Sequence, residues 1–167
     1  MIKVPFPHMV SNAHNVPGEE YEMWNTWRVP RSKSADHMID WIATVAQNAP
    51  DGKLSTVIFN AHGKPGKIKI GQGITRDDVT KFSRLKGLVD RIWIVACKVA
   101  RIAGAGSITD GNYFCYRLAQ ESGAYVKAST ATQTGITDLP IIDSIPFGYI
   151  DDWEGTVFRW RPTGELY

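Results

Sequence analysis

The sequence predicts an α/β fold built on a mainly parallel sheet, and two observations carry this prediction. Short runs rich in β-branched and aromatic residues, bounded by turn residues, alternate along the chain with segments of helical periodicity. The run at residues 54–61 is apolar at successive positions, which is typical of a parallel strand buried on both faces. Strands that alternate with helices along a chain favour an α/β architecture.

Composition limits the class of protein. The chain has 167 residues, 22% charged and 43% hydrophobic, which is the balance of one globular domain. Its 19 Lys and Arg residues against 17 Asp and Glu residues leave a net charge of +2, too small an excess to indicate a nucleic-acid-binding protein. No apolar stretch is long enough to span a membrane, and the N-terminus lacks the features of a secretory signal. We therefore expect a cytoplasmic protein, or an effector exported without a signal peptide.

The N-terminal part is predicted to contain one strand and one helix. Residues 1–20 are rich in Pro, Asn, His and Gly, and we expect an irregular lead-in there. The aromatic segment 21–29 is predicted to be a strand. Ser34 is placed as the N-cap of a helix over residues 35–48, because the apolar residues that follow it repeat at helical spacing.

The middle of the chain continues the alternation. The strand at residues 54–61 is predicted to stop at His62. The alternating segment 67–70 indicates a small hairpin outside the main sheet. Thr75 is expected to cap a helix that ends near Lys86.

The C-terminal part is predicted to complete the sheet. Its elements are a strand at 91–96, a helix at 112–122, a strand at 124–128 and a partly alternating segment at 149–160. Asp110 or Asn112 is expected to cap the helix. The Gly-Ala-Gly at 104–106 is too weak a pattern to predict a phosphate-binding loop. Because no linker or repeat interrupts the pattern, we expect a single domain over residues 1–167.

Two residues with chemical potential follow predicted strands. His62 comes directly after one apolar run and Cys97 directly after the next. We predict that residues 54–61 and 91–96 form adjacent central strands of the mostly parallel sheet. Ligands of open α/β sheets bind outside the carboxyl ends of the strands, so these neighbours would bring both side chains to one edge. A thiol becomes a good nucleophile beside a base, which His62 would supply. Gly63, lacking a Cβ, would let its N–H approach an oxyanion, with the N–H of Cys97 as a second donor.

A strand ending in His62-Gly63, followed by a strand ending in Ala96-Cys97, resembles the caspase-like cysteine peptidases: caspases, metacaspases, legumains, clostripain and gingipains. The resemblance covers residues 54–128 and is nearest to a minimal bacterial caspase-like domain. It implies a three-layer sandwich and a cysteine endopeptidase whose His-Cys dyad hydrolyses peptide or protein substrates without a cofactor or metal. The Cys follows the His in the chain, an order that disfavours papain-like enzymes.

One departure from the caspase pattern concerns specificity. The chain has Val95 where caspases have Gln before the Ala-Cys pair, so caspase-type aspartate specificity is not implied. Arg31, Lys33 and Lys98 are candidate substrate-binding residues that would suit an acidic substrate side chain. Four carboxylates would instead suit a basic one: Asp36, Asp110, Asp138 and Asp143. The sequence does not decide between these two sets.

Two other functions remain open at this stage. A caspase-like module without activity could bind a partner protein, as an effector or an immunity-type component. A flavodoxin-like domain could bind a small ligand at the same strand ends. Cys115 lies within a helical pattern and is predicted to pack in the core, since free Cys is usually buried. We also predict that Cys97 and Cys115 do not form a disulfide.

Overall fold

The structure, a computed structural model, describes residues 1–104, 107, 110–133 and 145–167. The described strands are β1 (Ile2–Lys3), β2 (His8–Ala13), β3 (Asn25–Val29), β4 (Thr56–Lys64), β5 (Lys67–Lys69), β6 (Arg91–Ala96), β7 (Tyr125–Ser129), β8 (Tyr149–Ile150) and β9 (Val157–Trp160). The described helices are α1 (Ala35–Gln47), α2 (Gly111–Ser122) and two 3₁₀ helices, Pro50–Gly52 and Arg76–Leu85. None of these helices is long and apolar enough to cross a membrane.

The central sheet is mixed but mostly parallel. Its strand order is β3-β2-β4-β6-β7-β9, and β5 pairs with the end of β4. The strands from β3 to β7 are parallel, and β9 is antiparallel to β7. Strands β4 and β6 pair from Val57↔Ile92 to Ala61↔Ala96. This confirms the α/β prediction and the placing of these two runs as adjacent parallel strands.

The two faces of the sheet are covered differently. On one face, α1, the 3₁₀ helix Arg76–Leu85 and α2 bury their apolar side chains in one core cluster with the strands. The opposite face carries a smaller cluster, in which strand residues Val10 and Ile58 pack against Tyr21, Met23 and Ile150. The two-stranded β1–β8 sheet belongs to this side. The arrangement is compatible with three layers, although the described helices all belong to the first cluster.

The expectation of an irregular lead-in over residues 1–20 is wrong. Strand β2 lies between β3 and β4, and all its residues are buried. Half of the run is polar in sequence, and tertiary contacts satisfy most of these polar groups: Asn12 accepts from the backbone N–H of Tyr21 and from the Asn60 amide, and donates to the Tyr21 carbonyl. Because buried polar groups are tolerated once they are hydrogen-bonded, hydropathy alone could not reveal this strand.

The helix caps predicted from the sequence are present in the structure. The Ser34 hydroxyl accepts from the backbone N–H of His37, which confirms this residue as the N-cap of α1. Thr75 forms a capping box with Asp78, although the helix that follows is 3₁₀. Asp110 caps α2 by accepting from backbone N–H groups of its first turn. These signals involve residues close in sequence, so they are readable without tertiary information.

Stability is expected to fall below about pH 6.5 because of His8. This side chain is only 4% exposed, its Nδ1 accepts from the backbone N–H of Trp24 at 3.0 Å, and burial lowers its pKa from 6.5. The unfolded chain therefore takes up this proton first, so the stabilisation is complete above pH 6.5 and is lost as the pH falls below it. Urea unfolding between pH 5 and 7.5 measures the change.

The matched variant for this test is His8→Asn. An Asn carbonyl oxygen can still accept from Trp24 but has no proton to gain in this range. We expect the pH dependence of the free energy of unfolding to be shallower in the variant. Equal slopes in the two proteins would show that other groups cause the dependence.

Candidate active site

Strands β4 and β6 bring the two predicted catalytic residues to equivalent positions on adjacent strands. Ala61 of β4 and Ala96 of β6 are register partners, and His62 and Cys97 each follow one of them directly. Both alanines belong to the core cluster on the helical face. Since successive residues of a strand point to opposite faces, His62 is directed to the face away from the helices. Val95, two residues before Cys97, also lies on that face.

Strand β4 continues further than predicted. The sequence placed His62 after the strand, but β4 runs on to Lys64 by pairing with β5. The predicted hairpin is therefore present, and its first strand is the extension of β4 itself. His62 pairs across this hairpin with Lys69, so its backbone is held in a ladder and its position is set by β5.

The two cysteines have different environments. Both are free, as predicted. Cys97 is partly exposed, and its thiol donates to the backbone carbonyl of Gln133 with the sulfur 3.5 Å from that oxygen. Cys115 is 0% exposed in the core, and burial raises the pKa of its thiol. Because the thiolate is the reactive form, only Cys97 has an environment suited to a nucleophile.

The turn that follows Cys97 is tightly held. Lys98 has φ of 56°, a left-handed conformation that costs energy for a residue with a side chain. Its backbone N–H donates to Ala131 at 2.8 Å, and the N–H of Ala100 donates to Ser129 at 3.1 Å. The carbonyl of Val99 accepts from Gly66 in the turn between β4 and β5. These bonds hold the residues after the thiol against the neighbouring strand ends.

Gly63 is needed for the close approach of this turn to β4. A Cβ at this position would lie 2.6 Å from the Cys97 carbonyl oxygen and 2.6 Å from the Val99 Cγ2 atom. A Cβ atom does not approach other heavy atoms this closely, so any other residue would push the turn away. The predicted use of the Gly63 N–H as an oxyanion donor stays a prediction, and the packing gives a separate reason for glycine here.

We expect Gly63→Ala to destabilise the protein by about 1–3 kcal/mol, which is the usual cost of overpacking a tight contact. The added methyl group would displace the turn that carries Cys97, so reactivity of this thiol should fall as well. Urea unfolding and thiol labelling measure the two effects. Lys64→Ala, at the adjacent exposed position, should change the free energy of unfolding by no more than about 0.5 kcal/mol. Equal effects of the two substitutions would contradict the packing argument.

His62 also lines a pocket of about 540 Å³ at the carboxyl edge of the sheet. The other described residues of its wall are His14, Asn15, Arg31, Lys64, Lys67, Lys69, Gly71, Gln72 and Gly73. Cys97 is not among them, and no hydrogen bond joins it to His62 within the described residues. The structure thus places the two side chains on neighbouring strand ends without a direct bond between them.

The candidate substrate-binding residues lie in different places. Arg31 lines the pocket beside His62, and its Nε donates to His14 Nε2. Lys98 is in the turn after Cys97, at the other strand end. Lys33 lies next to the pocket, where its carbonyl accepts from the backbone N–H of Gln72 at 2.8 Å.

The candidate carboxylates do not form a site in the described part of the chain. Asp36 pairs with Lys81 and Arg84, which lowers the pKa of this carboxyl group, and Asp110 is occupied as the cap of α2. Asp138 and Asp143 lie outside the described residues, as does Gly106 of the Gly-Ala-Gly segment. Within those residues, no group of three His, Cys, Asp or Glu side chains could hold a metal ion.

Comparison with known proteins adds no support to the caspase-like resemblance, which depends only on the motif residues of this chain. No family model matches it, and no curated protein is similar to it in sequence.

The pocket lysines Lys64, Lys67 and Lys69 are site residues that the sequence motifs do not indicate. The signal that could have found them is the alternation in residues 67–70, because alternate residues of a strand share one face.

Proposed function

We propose that this protein is a caspase-like cysteine peptidase with Cys97 as nucleophile and His62 as general acid–base. One observation carries the proposal: β4 and β6 are parallel neighbours whose pairing ends at Ala61↔Ala96, with His62 and Cys97 next along the two chains. The resemblance in sequence requires adjacent strand ends, and this is the arrangement found. The edge concerned is also where α/β sheets bind ligands.

The proposed reaction divides between the two side chains. His62 accepts the thiol proton of Cys97 as the sulfur attacks the carbonyl carbon of a peptide bond, and it gives this proton to the leaving amine. His62 then removes a proton from the water that attacks the thioester, and it returns this proton to the sulfur as the acid product leaves. The N–H groups of Gly63 and Cys97 stabilise the negative charge on the carbonyl oxygen.

The geometry supports the proposed role of Cys97 as nucleophile more directly than that of His62. Cys97 is free, partly exposed and followed by the left-handed residue Lys98 in a turn held by backbone hydrogen bonds. Strained backbone of this kind persists only where surrounding contacts stabilise it, and it is frequent at functional sites. The thiol donates to Gln133 in the ligand-free chain, and catalytic hydrogen bonds often form only once substrate is bound.

The test is hydrolysis of a diverse peptide mixture by the wild-type protein beside Cys97→Ala. New fragments, identified by mass spectrometry, are expected with the wild type alone. Fragments in both samples would indicate a contaminating peptidase, and fragments in neither would reject the proposed activity.

A second candidate function is a module without activity that binds a partner protein. The observation that favours it is the hydrogen bond of the Cys97 thiol to Gln133, together with a His62 side chain that lines a pocket without Cys97. Such a module would contain a thiol of ordinary reactivity and would cleave no peptide in the mixture.

A further inference from the structure

The pocket beside His62 has a wall of unusual charge. Four formal positive charges line it, from Arg31, Lys64, Lys67 and Lys69, and no Asp or Glu is among its described lining residues. The chain as a whole has a net charge of only +2, so this concentration does not follow from a basic composition. The charges come from the loop after β3 and from the β4–β5 hairpin, segments that are distant in sequence and meet only in the fold.

The four pocket cations lie together at one concave surface, and none of them is neutralised by a carboxylate within the described residues. Five cationic side chains elsewhere pair with carboxylates: Arg28, Lys53, Lys81, Arg84 and Arg117. A cluster of uncompensated charge at a concave surface attracts ligands of the opposite sign.

The positive charges of this wall repel one another across the β4–β5 hairpin. Lys64 and Lys67 are directly opposite each other across the two strands, and Lys69 is opposite His62. Like charges in directly opposed positions destabilise a strand pair. Apolar or oppositely charged residues would make a more stable hairpin, so a bound anion gives a physical reason for this arrangement.

The walls of the pocket are also held in place without a ligand. The backbone N–H of Gln72 donates to the Lys33 carbonyl, and its side-chain amide donates to the Ser32 carbonyl at 3.1 Å. These bonds join the turn after β5 to the loop that carries Arg31. A Cβ on Gly73 would lie 3.4 Å from Lys67 Nζ, so the ammonium group is folded against this turn. A site formed in advance loses less entropy on binding.

We propose that this pocket binds a small ligand that carries several phosphate groups. The volume of about 540 Å³ is that of a small-molecule site. Phosphate groups place several negative charges within a small volume, which matches a cluster made mostly of lysine. Arginine binds both carboxylate and phosphate with two parallel hydrogen bonds, and the single arginine here already uses its Nε to hold His14, so three lysine point charges supply most of the wall. The composition of the wall therefore favours a polyphosphate over an acidic peptide.

The proposed ligand site does not include the thiol. Cys97 does not line the pocket, so binding should be the same in Cys97→Ala as in the wild type. His62 belongs to both sites, and a bound anion would lie beside the proposed general acid–base. Loss of peptidase activity with intact anion binding would reject only the proposed function, and the reverse result would reject only the anion site.

The test is calorimetric titration of the full chain with tripolyphosphate at low salt. Saturable binding with one ligand per chain is expected. The double variant Lys64→Gln/Lys67→Gln should weaken it by about tenfold or more, because it removes two charge-assisted contacts. Arg28→Gln/Lys53→Gln removes the same charge from paired surface positions and should change the affinity by no more than about twofold. The absence of saturable binding, or an equal loss in both double variants, would overturn the proposal.

Two further measurements complete the test. The first is the melting temperature of Lys64→Gln/Lys67→Gln, which should be at least that of the wild type since a repulsive pair has been removed. Should this variant unfold, Lys69→Gln is titrated in its place and must also weaken binding. The second is titration with an Asp-rich peptide of the same net charge as tripolyphosphate. Tighter binding of the peptide would overturn the assignment to phosphate and favour an acidic protein segment.

Discussion

Replacing Cys97 with Ala is expected to abolish peptide hydrolysis, whereas replacing Cys115 with Ala should leave the rate almost unchanged. Cys97 is partly exposed at the carboxyl edge of the sheet, and Cys115 is buried under the helical layer, where burial raises the pKa of its thiol. A buried thiol with a raised pKa forms little thiolate and cannot meet a substrate. The measurement is the rate of fragment release from the peptide mixture, with labelling by an electrophilic peptide probe.

The contrast between the two cysteines is the decisive part of this prediction. Cys97→Ser should be nearly as inactive as Cys97→Ala, because a hydroxyl is far less acidic than a thiol. Cys115→Ala removes one buried sulfur and is expected to cost stability of about 1 kcal/mol in urea unfolding. Equal loss of activity from both alanine variants would indicate disruption of the fold instead of loss of a nucleophile.

Replacing His62 with Ala is expected to lower the rate by about 10²–10⁴-fold, the usual effect of removing a general acid–base. His62 follows the register pair of Ala61 and Ala96, which puts it beside the strand end that carries Cys97. Probe labelling of Cys97 should fall in parallel, because the same imidazole assists formation of the thiolate. Both quantities are measured on protein whose folding is verified by circular dichroism.

The matched control is His14→Ala. His14 lines the same pocket as His62, but its Nε2 is engaged by Arg31, and it follows β2 whereas His62 lies within β4. Its removal should leave the rate and the labelling of Cys97 within about a factor of two of the wild type, as for a residue outside the chemistry. A loss as large as that of His62→Ala would show that the pocket as a whole, and not His62 as acid–base, supports the activity.

Much of the fold was predictable from local pattern. The runs that form β4 and β6 are apolar over several successive residues, and this pattern predicts them as adjacent strands of a mostly parallel sheet, whereas their register is known only from the structure. The caps Ser34, Thr75 and Asp110 were identified because capping depends on residues a few positions apart. His62 and Cys97 were singled out for the same reason, since each stands directly after an apolar run.

Tertiary structure alone decided the rest. Strand β2 contains the polar residues His8 and Asn12, whose side chains are hydrogen-bonded to Tyr21, Trp24 and Asn60 from elsewhere in the chain. The extension of β4 depends on its pairing with β5, which sequence hydropathy does not encode.

The pocket beside His62 is likewise not evident from the local sequence pattern and appears only in the tertiary structure. Each lysine of the hairpin is an ordinary polar residue in the sequence, and Arg31 was a candidate only through its position after a strand. Their shared charge exists because β5 folds back on β4 and the turn after it is bonded to the loop after β3. Sequence pattern determines elements through short-range forces, whereas a binding surface arises from contacts between segments that only the complete fold brings together.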